Sequence, residues 1–106
     1  MKTQKKTGLT RQSILRLLRQ NRRLLDKYSV LSIGLFGSYA IGKQTPRSDV
    51  DFLVEFERPT YDNFIGLSRE LEILFGRKVE VLTPHGLGSI RIPEVAESIR
   101  KVLAYA

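Results

Sequence analysis

The sequence predicts a small mixed α/β (α+β) fold, a β-sheet flanked by helices, and three observations carry that reading. Apolar residues recur at helical spacing in three separate segments, two further segments alternate polar and apolar residues with a period of two, and the two kinds of segment interleave along the chain. At 106 residues a single domain spanning residues 1–106 is expected, with roughly 65% of the unfolded chain's surface buried on folding.

The first helix is expected over residues 10–28, where Ile14, Leu17, Leu18, Leu24, Leu25 and Tyr28 form an apolar row behind Thr10, a suitable N-cap. Val30 to Phe36 is short, apolar and rich in branched residues, and it runs into Gly37-Ser38, so it reads as a strand. A polar connection containing glycine and proline follows. From Asp49 to Phe56 the alternation is strict: Val50, Phe52, Val54 and Phe56 share one face, and Asp49, Asp51, Leu53 and Glu55 the other. Tyr61 to Phe75 repeats Phe64, Leu67, Leu71, Leu74 and Phe75 at helical spacing before Gly76, a C-terminal stop. Lys78 to Thr83 alternates again until Pro84. His85 to Ile92 reads as a flexible connection. Pro93 then starts a helix carrying Val95, Ile99, Val102 and Leu103. Three strands are expected, in a sheet with room for a fourth.

Composition removes several classes of function. There is no cysteine, which excludes disulfides, thiolate zinc sites and cysteine nucleophiles and suits a reducing compartment. No apolar stretch approaches the roughly 20 residues that span a bilayer, and residues 1–10 hold no apolar signal-peptide core. A cytoplasmic protein without a membrane partner is expected. The net charge of +7 favours polyanions: nucleotides, nucleic acid or an acidic protein. Much of it lies in Lys2, Lys5, Lys6, Arg11, Arg16, Arg19, Arg22, Arg23 and Lys27, which read either as a solvated helix face or as a surface for an acidic partner.

The chemistry is concentrated in one constellation. Gly37-Ser38 is followed, after ten residues, by Asp49-Val50-Asp51; four fixed identities at one spacing arise by accident on the order of once in a thousand such chains. On a strand, two aspartates two residues apart leave the same face about 6.6 Å apart. Magnesium takes hard oxygen ligands, commonly one or two carboxylates completed by water and phosphate. A solvent-facing strand edge would account for one acidic residue, but it gives no reason to gather like charges beside Glu55. A glycine-serine turn at a strand end exposes backbone N–H groups and a hydroxyl, both of which attract phosphate.

The stretch GSYAIGKQTPRSDVDFLV, Gly37 to Val54, resembles the signature of the DNA polymerase beta-like nucleotidyltransferases. KVEVLTP, Lys78 to Pro84, and the Ile90 to Glu97 tail resemble the minimal, or MNT, branch of that superfamily, so the likeness covers most of the chain from Leu31 onward. The resemblance implies a sheet flanked by helices, two magnesium ions, and transfer of a nucleoside monophosphate, here AMP from ATP, with pyrophosphate leaving. It assigns Asp49 and Asp51 as metal ligands and catalytic residues, with Gly37 and Ser38 binding the nucleotide's phosphates. The third carboxylate of the family falls on Glu80, in the polar phase of its strand, where many relatives have aspartate. Ile41 stands where relatives frequently carry arginine, with Lys43 and Arg47 as candidate replacements. MNT proteins are often antitoxins of HEPN-domain RNase toxins, and characterised members adenylylate a tyrosine of the toxin. A hetero-oligomer with such a toxin is therefore expected.

Two other readings stay open: an antitoxin that neutralises by binding alone, and a transferase acting on RNA or a small hydroxylated molecule. His85, a lone loop histidine, is given no role. Tyr39, Tyr61 and Phe64 could stack on a base, but aromatic residues near an apolar pattern are more often core, and they too are given no role.

Overall fold

In the computed structural model the described residues are 8–88 and 93–106. Lys2, Lys5, Lys6 and residues 89–92 of the expected connection lie outside them. The elements run α1 (Arg11–Gln20), α2 (Arg22–Lys27), β1 (Val30–Phe36), α3 (Ser38–Ile41), β2 (Val50–Phe56), α4 (Tyr61–Phe75), β3 (Val79–Leu82), α5 (Pro84–Gly88), α6 (Pro93–Val102) and β4 (Ala104–Tyr105).

The strands form one mixed sheet in the order β3-β2-β1-β4. β1 is antiparallel to both of its neighbours, whereas β2 and β3 are parallel and joined through α4, as parallel strands require. The expected α/β class is the observed one, and the fourth strand is the two-residue β4.

Thr10 caps α1: its hydroxyl accepts from Ser13 N at 3.1 Å, and Ser13 Oγ accepts from Thr10 N at 2.8 Å. The single helix expected over residues 10–28 is two. The break falls at Asn21, whose φ of -111° and ψ of 39° leave helical space. Its amide donates to Leu17 O at 2.8 Å, which supplies the carbonyl with a partner where the helix ends. The apolar row continues across this break because α2 covers the same core. At the other end, Gly76 closes α4 in the left-handed region at φ 65°, the stop anticipated from its sequence. The flexible connection expected from His85 is helical as far as Gly88. Thr83 Oγ1 accepts from Gly86 N at 3.1 Å and secures its first turn.

The sheet separates two apolar layers. Val50, Phe52, Val54 and Phe56 point into the larger one, with Ile14, Leu18, Leu25, Leu67, Leu71 and Phe75 from α1, α2 and α4. Phe52 and Phe75 meet with ring centroids 5.8 Å apart. On the opposite face Leu53 and Ala96 form a smaller cluster with Phe36, Leu82, Ile99 and Leu103. α6 therefore covers only part of the face that carries the acidic residues.

Leu71 is fully buried, whereas Ile73 on the same helix is 77% exposed. Leu71→Ala is expected to lower unfolding stability by about 2–5 kcal/mol, and Ile73→Ala by about 0.5 kcal/mol or less. Urea unfolding of the two variants checks the direction in which the helix faces.

Candidate active site

The register of the sheet brings the predicted residues to one end of it. Asp51 on β2 pairs with Phe36, the last residue of β1, and with Glu80 on β3. Asp49 lies two residues before Asp51, immediately ahead of the strand. Gly37 and Ser38 continue directly from Phe36, so the turn and the carboxylates form adjoining parts of one edge.

Gly37 has φ 77° and ψ -158°, and a Cβ at this position would run into the Asp51 carboxylate. Glycine is required here twice over. It takes a backbone conformation that side chains disfavour, and it leaves the space that the carboxylate occupies. α3 is a single turn, so the N–H groups at its start matter more than any helix dipole. Ala40 N makes the first bond of that turn, to Gly37 O at 3.0 Å, and the N–H groups preceding it have no partner within the helix. Tyr39 is 2% exposed and anchors the turn in the larger core.

Asp51 registers the crowding electrically. Burial, then the Asp49 charge, then the Glu80 charge push its carboxyl up from 3.8 to about 6. A carboxylate held against an anion-attracting turn and facing two like charges is a strong candidate for cation binding. The donor set fits magnesium, since all three groups are hard oxygen ligands and a divalent cation would relieve the repulsion. Among the described residues no three His, Cys, Asp or Glu side chains are gathered closely enough to enclose a metal ion as they stand. Glu80 instead pairs with Lys78 at 3.8 Å, with both side chains more than half exposed. An ion pair so exposed contributes little and holds Glu80 weakly.

The remaining predicted positions divide. Ile41 is 51% exposed at the end of α3. With Phe36, Gly37, Val95, Ile99 and Val102 it lines an apolar cavity of about 500 Å³. Lys43 and Arg47 have exposed side chains beyond it; Lys43 N donates to Ser38 O at 2.9 Å and Arg47 N to Thr45 Oγ1 at 3.2 Å. His85 lies near the opposite end of β2, beside Val54, Glu55 and Phe56, and does not join the carboxylates. One residue that the sequence did not single out borders the site: Arg77 donates to the backbone just ahead of Asp49.

The sequence and the fold have counterparts among known proteins. The family described as nucleotidyltransferase domain matches residues 17–104. A Methanocaldococcus jannaschii protein, provisionally named a protein adenylyltransferase, is 42% identical over 100 residues, 91% of this chain and 97% of its own. A solved structure provisionally described as a minimal nucleotidyltransferase superposes with a TM-score of 0.72 at 23% identity, covering 93% of this chain and 98% of its own. A solved MntA toxin–antitoxin structure carrying a Y104A mutation gives a TM-score of 0.55 at 26% identity, over 93% of this chain and 72% of its own. The chain belongs to the nucleotidyltransferase domain family.

Because folding raises the Asp51 pKa above the unfolded value, its contribution to stability is fully present below about 3.8 and is lost as pH rises through about 6. Metal-free protein is therefore expected to lose stability over this window more steeply than Asp51→Asn does. Adding Mg2+ at pH 7.5 should restore much of the loss in the native chain and little in the variant. Thermal melts across pH measure both, and parallel curves for the two proteins would contradict the assignment.

Proposed function

We propose that this chain is a magnesium-dependent protein adenylyltransferase that transfers AMP from ATP to a tyrosine hydroxyl of a HEPN-domain toxin and thereby acts as its antitoxin. The observation that carries the reading is the packing of Asp51 onto Gly37, with the charges of Asp49 and Glu80 beside it. Phosphate and carboxylate come to one turn, an arrangement that suits cation-assisted phosphoryl chemistry. The adenylyltransferase name of the archaeal relative and the toxin–antitoxin setting of MntA support the acceptor class. The resemblance to the MNT branch supports the HEPN identity of the toxin.

In the reaction so read, the acceptor oxygen forms a bond to the α-phosphorus and the bond from that phosphorus to the bridging oxygen breaks. Pyrophosphate leaves with the electron pair. Asp49, Asp51 and Glu80 would hold two magnesium ions, which when bound neutralise phosphate charge and stabilise the attacking and leaving oxygens. The N–H groups at Ser38 and Tyr39 and the Ser38 hydroxyl hold the β- and γ-phosphates. Glu80, the most exposed of the three carboxylates, accepts the acceptor's proton. Positioning and charge neutralisation supply most of the rate in such a site, so a chain of this size is sufficient.

Asp49→Asn combined with Asp51→Asn is expected to reduce transfer of labelled AMP to the co-expressed toxin by at least 1,000-fold, on the order of what a lost electrostatic stabiliser costs, with the fold intact by circular dichroism. Undiminished labelling in the double variant would sink the proposal. Toxin fully neutralised with no nucleotide present would favour action by binding alone, and label recovered in RNA instead of a protein band would redirect the acceptor.

A further inference from the structure

The segment that delivers Asp49 is short, polar and exposed, yet it is tied down at every step. Ser48 N donates to Thr45 O at 3.0 Å, and Thr45 N donates to Ser48 Oγ at 2.8 Å. These bonds close a turn on itself, but they do not fix that turn relative to the sheet. Arg77 does. Its Nη1 donates to Pro46 O at 2.7 Å and to Ser48 O at 3.4 Å, reaching across from the connection between α4 and β3.

The Ser48 carbonyl belongs to the peptide that joins Ser48 to Asp49. Because that peptide is a rigid plane, an interaction that orients its carbonyl also limits the direction in which the Asp49 side chain departs. One residue further on, Val50 N donates to Lys78 O at 3.1 Å. Asp49 thus sits between two points of attachment to consecutive residues, Arg77 and Lys78. Arginine suits the first of these, since its guanidinium is permanently charged, planar and less strongly hydrated than an ammonium, and hydrogen bonds from a charged donor are the stronger kind.

We propose that Arg77 is a positioning residue for Asp49: by holding the Pro46 and Ser48 carbonyls it sets the carboxylate for divalent-cation binding without touching the cation or substrate. This rests on the metal-dependent reading of the site given above. Groups that orient metal ligands from behind typically change metal affinity 10- to 100-fold when lost, and a backbone tether of this kind belongs at the lower end.

The test titrates the full chain with Mg2+, and in parallel Mn2+, following the rise in Tm, with AMP transfer measured separately. Arg77→Met, which keeps much of the side chain's bulk, is expected to raise the half-saturating Mg2+ concentration about 10-fold. Arg77→Lys should fall between it and the native chain, because an ammonium can satisfy one carbonyl. A Met variant that melts lower but keeps the native Mg2+ midpoint would reduce Arg77 to a structural role and overturn the proposal. If Arg77→Met does not fold, a native midpoint in Arg77→Lys overturns it equally. A native chain whose Tm does not respond to either cation removes both this inference and the metal-dependent reading. A clear cation response without AMP transfer overturns the proposed reaction alone and leaves the role of Arg77 standing.

Discussion

Like charges crowd one end of the sheet, and the molecule is organised around tolerating them. Asp49, Asp51 and Glu80 come from a loop, a central strand and an edge strand, and they lie at the same end of the sheet beside a turn that itself favours anions. Like charges brought to one place repel, and burial strengthens the repulsion by lowering the local dielectric. Each fully buried aliphatic or aromatic side chain stabilises the fold by about 1.5–3 kcal/mol. The four apolar residues of β2 that point away from the carboxylates work against that repulsion. The same strand carries both the strain and its compensation, on opposite faces.

The carboxylate face is divided in turn. Asp51 and Leu53 share it by alternation, yet Leu53 is 7% exposed while Asp51 remains partly open. α6 and the residue that follows it account for the difference, since Ala96 and Ile99 of the helix and Leu103 just beyond it pack against Leu53. The boundary between dry and wet surface thus passes between two residues of one strand. Partial cover of this kind lifts the Asp51 pKa through burial while leaving the carboxylate within reach of a ligand. Complete cover would have buried an unpaired charge, and no cover would have left it an ordinary surface aspartate.

The parts of this structure that were legible in the sequence are those where burial imposes a period. β2 is legible residue by residue because one of its faces is wholly apolar, and α4 because Leu67, Leu71 and Phe75 repeat at helical spacing and Gly76 ends them. The break at Asn21 left no trace in the pattern, because α1 and α2 face the same core and keep the apolar row continuous. β4 is too short for alternation to register, and it exists because Ala104 and Tyr105 can pair with Leu35 and Gly34. α5 reads as a flexible connection because glycines at 86 and 88 argue against helix, a local preference that the contacts with β2 and the bond from Gly86 N to Thr83 overcome. Within the site, Gly37, Ser38, Asp49 and Asp51 stood out by spacing. Arg77 could not, because its partners are backbone carbonyls 31 and 29 residues away, and a carbonyl carries no residue signature.

The end of α4 unites these observations. Glu72 on its last turn accepts from Val79 N at 3.2 Å, Gly76 reverses the chain, Arg77 holds the loop ahead of β2, and Lys78 bonds Val50. Asp49 and Glu80 are thus both attached through this corner of the fold, while Asp51 pairs with Glu80 across the sheet and packs against Gly37 on its other side. A shift of that corner would act on Asp49 and Glu80 directly, and on Asp51 through its pairing with Glu80. Attachment through one corner lets a short chain, with a thin layer over one face of its sheet, bring three like charges to the same end of it.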